Sequence, residues 1–144
     1  MIRSLRLAAA VVASVACFTA ANAQDKSNPL PARADIPGIV PEVLVKTTVP
    51  GVPWKQALVT RTTYQPGARI RKHYHVSQIV FVIIEGTMQV QDDGKPPVTL
   101  KAGDTLLIPP GTVHAHWNAS QTEKLVFTEF VLVDDGQRSA VFVE

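Results

Sequence analysis

Cysteine is almost missing from this chain: one residue, Cys17, among 144. Disulfides are thereby excluded as the framework of the fold, and thiolates as a metal-holding cluster. Charge of one sign is missing too. Fourteen basic residues stand against 12 acidic ones, a net +2, and that balance sets up no basic field for nucleic acid or anionic lipid. No apolar run is long enough to span a bilayer. The longest, Leu7 to Ala20, covers 14 residues against the roughly 20 that a spanning helix requires. There is no internal repeat and no convincing amphipathic helix.

That one apolar run has a clear use. Arg3 and Arg6 precede it, and Ala21-Asn22-Ala23 supplies a small-x-small cleavage site, the layout of a secretory signal peptide over residues 1–23. The expectation is an exported protein, periplasmic or secreted, that begins at Gln24 and has no integral membrane span after cleavage. An uncleaved anchor fits the Ala-rich run less well. A lipoprotein cut before Cys17 fits poorly, because Ser14 stands where such signals carry leucine. Cleavage after Ala23 removes the cysteine and two arginines, which leaves 12 basic residues level with the 12 acidic. The remaining 121 residues suit one domain with a single core. That core holds alone, or with help from a metal and from oligomerisation.

Residues 24–50 read as a proline-rich arm or strap. Six prolines fall between Gln24 and Pro53 (29, 31, 37, 41, 50 and 53), and each removes a ladder donor and restricts the residue before it. Residues 24–35 are expected to be a flexible arm. Val43-Leu44-Val45 is a candidate short strand. It either straps its own barrel or is exchanged with a second copy.

From residue 51 to the end the pattern is β. Ala57 to Tyr64 is rich in Val and Thr and ends at Gln65-Pro66-Gly67; Ile79 to Ile84 is a continuous apolar run, expected to be buried on both sides. Thr87–Gln91 alternates, Asp92-Asp93-Gly94 turns, and Val98–Leu100 returns. Thr105–Ile108, Val113–Trp117 and Leu125–Val133 complete the set. Short strands punctuated by Gly, Pro and Asp make an antiparallel sandwich or barrel.

The strands deliver histidines. His73 and His75 are two apart and project from one face of a strand. His114 opens a later strand after Pro109-Pro110-Gly111, so it can meet them from across a barrel. A convergent imidazole cluster is a common way to hold a divalent transition metal. His116 shares the parity of His114. It reads as a residue outside the ligand set that orients a ligand or relays a proton, with a surface histidine as the bland alternative.

These spacings resemble the two signature motifs of the cupin superfamily. The second, G-x5-P-x-G-x2-H-x3-N, is met at every fixed position by Gly103, Pro109, Gly111, His114 and Asn118. The first, G-x5-H-x-H-x3,4-E-x6-G, is met by Gly67, His73, His75 and Gly86, with Ile79 in place of the glutamate. The resemblance covers about residues 51–133. It implies an all-β, single-domain cupin of the small exported bacterial type: a double-stranded β-helix, or jelly-roll barrel, over residues 51–144. In its mouth it implies one divalent ion held by His73, His75 and His114. With no thiolates, ligand softness does not choose among Fe, Mn, Ni, Zn and Cu.

The departure at position 79 matters most for chemistry. In a regular strand Ile79 faces the metal and Gln78 faces away. A shorter approach after His75, balanced by a bulge before Gly86, brings Gln78 inward instead. The site is then either three histidines beside an apolar wall, or three histidines with a neutral amide oxygen from Gln78. Neither supplies an anionic ligand, which favours an anionic substrate. By resemblance, some superfamily dioxygenases have three-histidine sites and a few members carry glutamine at the glutamate position. Arg61, Tyr64, Arg69 and Arg71 are candidate contacts for an acidic molecule at the mouth. Trp54 either caps a pocket or anchors the strap, and Glu129 either points inward as a base or, on the safer assumption, outward.

Three function classes follow. One is a metal-dependent enzyme on a small organic molecule, of oxygenase, lyase or isomerase type. Another is a non-catalytic metal- or ligand-binding protein, and the last is an interaction barrel with relic histidines. The first is preferred, with a homodimer as the assembly.

Overall fold

The computed structural model describes residues 36–143. The signal peptide (1–23) and the arm over 24–35 lie outside the described residues. Ten strands and no helix make up the described part: β1 (Ile39–Val49), β2 (Val52–Tyr64), β3 (Arg69–His75), β4 (Ile79–Glu85), β5 (Thr87–Asp92), β6 (Val98–Lys101), β7 (Thr105–Ile108), β8 (His114–Asn118), β9 (Leu125–Asp134) and β10 (Ala140–Phe142). They form two five-stranded antiparallel sheets, ordered β1-β2-β9-β4-β7 and β10-β3-β8-β5-β6. The first is called the packing sheet below and the second the histidine sheet. This is the all-β double-stranded β-helix that the motifs imply.

The N-terminal strand is longer than Val43–Val45 announced. β1 pairs with β2 from Ile39↔Tyr64 to Val49↔Val52, with register shifts at Val43/Val45 and Thr48/Val49. It adds to the edge of its own sheet. Pro41 is tolerated there because β1 is an edge strand, where a missing amide hydrogen breaks no inner ladder.

β4 differs from expectation in burial. Ile79, Phe81 and Ile83 are fully inside, but Val80 and Val82 are only half-buried and Ile84 is exposed. No second layer of the described chain covers the outer face of this sheet, so a continuous apolar run is buried on one side only.

Between the sheets lies one core, which includes Tyr64, Ile70, Ile79, Phe81, Ile83, Met88, Leu125, Phe127 and Val131. Each such fully buried side chain contributes roughly 1.5–3 kcal/mol from lost apolar surface. Two motif residues fix the chain where it crosses from one sheet to the other. Gly86 joins β4 to β5 at φ 82°, and a side chain there would run into the Lys124 carbonyl oxygen. The Asn118 side chain donates to the Tyr64, Gln65 and Glu123 carbonyls at 3.3, 3.2 and 2.7 Å, and accepts the Ser120 amide at 3.0 Å. The motif asparagine is thus a clamp on two loops.

Candidate metal centre

All four histidines of the chain sit in one place. His73, His75, His114 and His116 are each 0% exposed, although imidazole is polar enough to prefer water unless something inside satisfies it. Strand geometry brings them together. β3 turns His73 and His75 to the same side, and His73 pairs directly with His114 of β8. A bulge between Ile70 and His73 lets Ile70 point inward as well, opposite His116. Ring centroids of His73 lie 4.4 Å from His114, 5.0 Å from His75 and 5.4 Å from His116.

Three of the rings are held by the backbone. Nδ1 of His73 lies 2.9 Å from the Arg71 carbonyl oxygen, that of His114 2.9 Å from Thr112 O, and that of His75 2.9 Å from Ser139 O. A carbonyl oxygen only accepts, so each Nδ1 carries the proton and each Nε2 keeps its lone pair. That is the tautomer a metal-ligating histidine uses, with its orientation set by the hydrogen bond on the other nitrogen. Ser139, which opens the way into β10, had no sequence pattern to announce it.

His116 is held differently. Its ring stacks on Tyr64 at 5.5 Å and on His114 at 5.9 Å, with Phe81 at 5.3 Å and Phe127 at 5.8 Å edge-on. It lies in an aromatic box, not at the surface. Ligand atoms of His73, His114 and His116 lie within 4.8 Å of one another, close enough for one ion. The structure thus groups His116 with His73 and His114, where the sequence reading placed His75. His75 is beside them, 5.1 Å from His114 and 6.3 Å from Phe81 by ring centroid.

Gln78 is not brought to the cluster. It is exposed, one residue before β4, and Ile79 is 0% exposed in its place. A register shift does occur before Gly86, between Ile83 and Glu85. It falls too late in β4 to turn Gln78 inward.

Glu129 corrects an expectation in the other direction. Of its two readings the outward one was the safer assumption, but the residue is 2% exposed, on the inner face of β9 with Leu125, Phe127, Val131 and Val133. The Thr60 hydroxyl donates to its Oε1 at 2.8 Å. The arginines stay outside: Arg69 lies over the Trp117 ring and Arg71 over Phe142, at 4.3 and 4.6 Å. Tyr64 is fully buried in the core and does not lie at the mouth, and Trp54 is 63% exposed.

The cupin domain model matches residues 60–133, just over half of the chain. The chain belongs to the cupin family. The uncharacterised protein YdbB of Bacillus subtilis (strain 168) is 35% identical over 72 residues, which span 50% of this chain and 58% of that protein. A cupin-like protein of Thermotoga maritima MSB8 superposes with TM-score 0.58 at 31% identity, over 73% of this chain and 75% of its own. The DMSP lyase DddQ of Ruegeria pomeroyi shares the fold, with TM-score 0.57 at 18% identity over 73% of this cupin and 51% of that protein.

The donor set fits a divalent transition ion. Imidazole nitrogens suit zinc, copper, iron and nickel, three of them are locked in the ligating tautomer, and Phe81 and Phe127 pack against the His75 and His116 rings.

Proposed function

We propose that this cupin is an exported, mononuclear metal-dependent enzyme, of oxygenase, lyase or isomerase type, acting on a small anionic organic molecule. The observation that carries the reading is the trio of Nδ1–carbonyl hydrogen bonds, which prepares His73, His75 and His114 as ligands by leaving each Nε2 with its lone pair. A divalent ion bound there would supply Lewis acidity toward an oxygen of the substrate. The chain's own residues do the rest. The three backbone carbonyls hold the rings in register, Ile79 and Phe81 supply an apolar wall, and His116 orients a ligand or relays a proton from its aromatic box.

A second assignment is favoured by the 4.8 Å grouping of His73, His114 and His116, with His75 as the outer residue. Elemental analysis of untagged protein separates the two. Under the first assignment His75→Ala loses the metal and His116→Ala keeps about one per chain; under the second the losses exchange. Metal retained in both variants and in His114→Ala contradicts either. A non-catalytic metal- or ligand-binding cupin is the alternative function. Turnover of any small carboxylic acid that stops in His114→Ala separates it from the enzyme.

Export rests on Arg3, Arg6, the apolar run and Ala21-Asn22-Ala23. A homodimer is supported by an apolar row across the outer face of the packing sheet. Val45, Val59, Phe130, Val80 and Leu107 follow one another in register over its five strands. Phe130 is 43% and Leu107 52% exposed, a surface suited to sheet-on-sheet packing with a second copy.

A further inference from the structure

Position 79 is where the family motif places a carboxylate, and Ile79 fills it here. Two facts of register put a carboxylate in the same compartment by another route. Ile79 pairs with Val131 of β9, and Phe81 pairs with Glu129. Glu129 therefore sits one strand over and one row along from Ile79, on the same inward face. Its neighbours locate it further. Phe81, directly across the ladder, packs against the rings of His75 and His116, and Phe127, two residues back on the same face, packs against His116. On its other side Glu129 pairs with Thr60 of β2, whose hydroxyl holds Oε1.

The charges of the interior point the same way. Among the described residues the buried polar set contains four imidazoles and one carboxylate, and neither lysine nor arginine. A carboxylate taken out of water is disfavoured unless positive charge is near. A divalent ion among buried imidazoles has the converse need. The grouped ligand atoms are all histidine nitrogens, so the carboxylate acts from the facing sheet, outside the ligand set.

We propose that Glu129 is the counter-charge of this metal centre, carried on β9 in place of the carboxylate that the motif puts on β4. Thr60 is its positioning residue. The inference rests on the metal reading above and revises one consequence of it. A divalent ion beside neutral histidines alone leaves two positive charges, and Glu129 reduces them to one. The site then suits a monoanion, such as a monocarboxylate, over a dianion.

Zinc titration against a chromophoric chelator tests this, with thermal melts of the metal-free and zinc-loaded proteins. Glu129→Gln is close in shape and removes the charge. It is expected to weaken zinc binding at least tenfold while the stoichiometry stays at one. Its metal-free melting temperature is expected to equal or exceed that of the wild type, since a buried charge has been removed. Its gain in melting temperature on adding zinc is expected to shrink. Glu129→Asp, which keeps the charge, recovers most of the affinity, and Thr60→Val loses part of it. Equal zinc affinity in wild type and Glu129→Gln overturns this inference alone, as does a lower metal-free melting temperature with affinity unchanged, the mark of a purely structural hydrogen bond. A wild type that binds no zinc, manganese or iron overturns the metal reading as well.

Discussion

The two sheets of this barrel are built from the same kinds of strand and do opposite work. The histidine sheet turns His73, His75, His114 and His116 inward, while its outer face carries Arg69 over Trp117 and Arg71 over Phe142. The packing sheet turns Ile79, Phe81, Ile83, Phe127 and Val131 inward and leaves Phe130, Leu107 and Leu132 exposed outside. One sheet carries chemistry on its inner face and charge on its outer face. The other carries packing inside and, outside, an apolar row flanked by the ion pairs Arg61–Glu42 and Lys55–Asp134, with Glu129 as its one inward carboxylate among the described residues. Stability and the proposed metal binding are thus assigned to opposite walls of one interior, and substitutions on the two walls should separate them.

Phe81→Ala removes a fully buried ring from the packing sheet and should destabilise the fold by about 3–5 kcal/mol, read from chemical denaturation of the metal-free protein. His114→Ala on the facing wall should abolish metal binding with a far smaller loss in the same measurement. If the two variants destabilise the metal-free protein equally, the division of labour between the sheets is wrong. Gly86→Ala, at the crossing between them, forces a side chain onto a positive φ and against the Lys124 carbonyl. A loss of about 1–3 kcal/mol is expected from the backbone strain alone, with metal stoichiometry unchanged in the folded fraction.

Phe130→Glu tests the outer face. Its far-UV spectrum and metal content should match the wild type, and its mass by light scattering should fall from dimer to monomer. A variant that remains dimeric places the interface elsewhere. The smallest effect belongs to Gln78→Ala. Exposed and outside the cluster, it should change stability by no more than about 0.5 kcal/mol and leave metal affinity as it is. A loss of metal there would restore the bulged reading of β4.

Much of this was legible in the chain. The spacing of two between His73 and His75, and between His114 and His116, fixes their facing once they lie on strands, and the glycines and prolines between the motifs mark the strand ends. Glu129 was not legible, because β9 is apolar on both faces: Val126, Phe130 and Leu132 point one way and Phe127, Val131 and Val133 the other. With no alternation to read, its facing is set by pairing with Thr60 and Phe81, which only the fold supplies. The same ambiguity concealed the half-exposed outer side of β4. β1 was obscured by Pro41 and Pro50, which disfavour a strand locally but are harmless at a sheet edge and a hairpin turn. The choice between His75 and His116 turns on the hydrogen bond that His75 Nδ1 donates to the Ser139 carbonyl, and backbone acceptors leave no mark on a sequence.

X-ray absorption at the metal edge of untagged protein, loaded with one equivalent of zinc, tests the central claim most directly. The account predicts three imidazole nitrogens at about 2.0–2.1 Å, with the remaining positions filled by water or a small anion, and no bound zinc in His75→Ala. A shell of oxygens alone, as for an ion bound loosely at surface carboxylates, would contradict it.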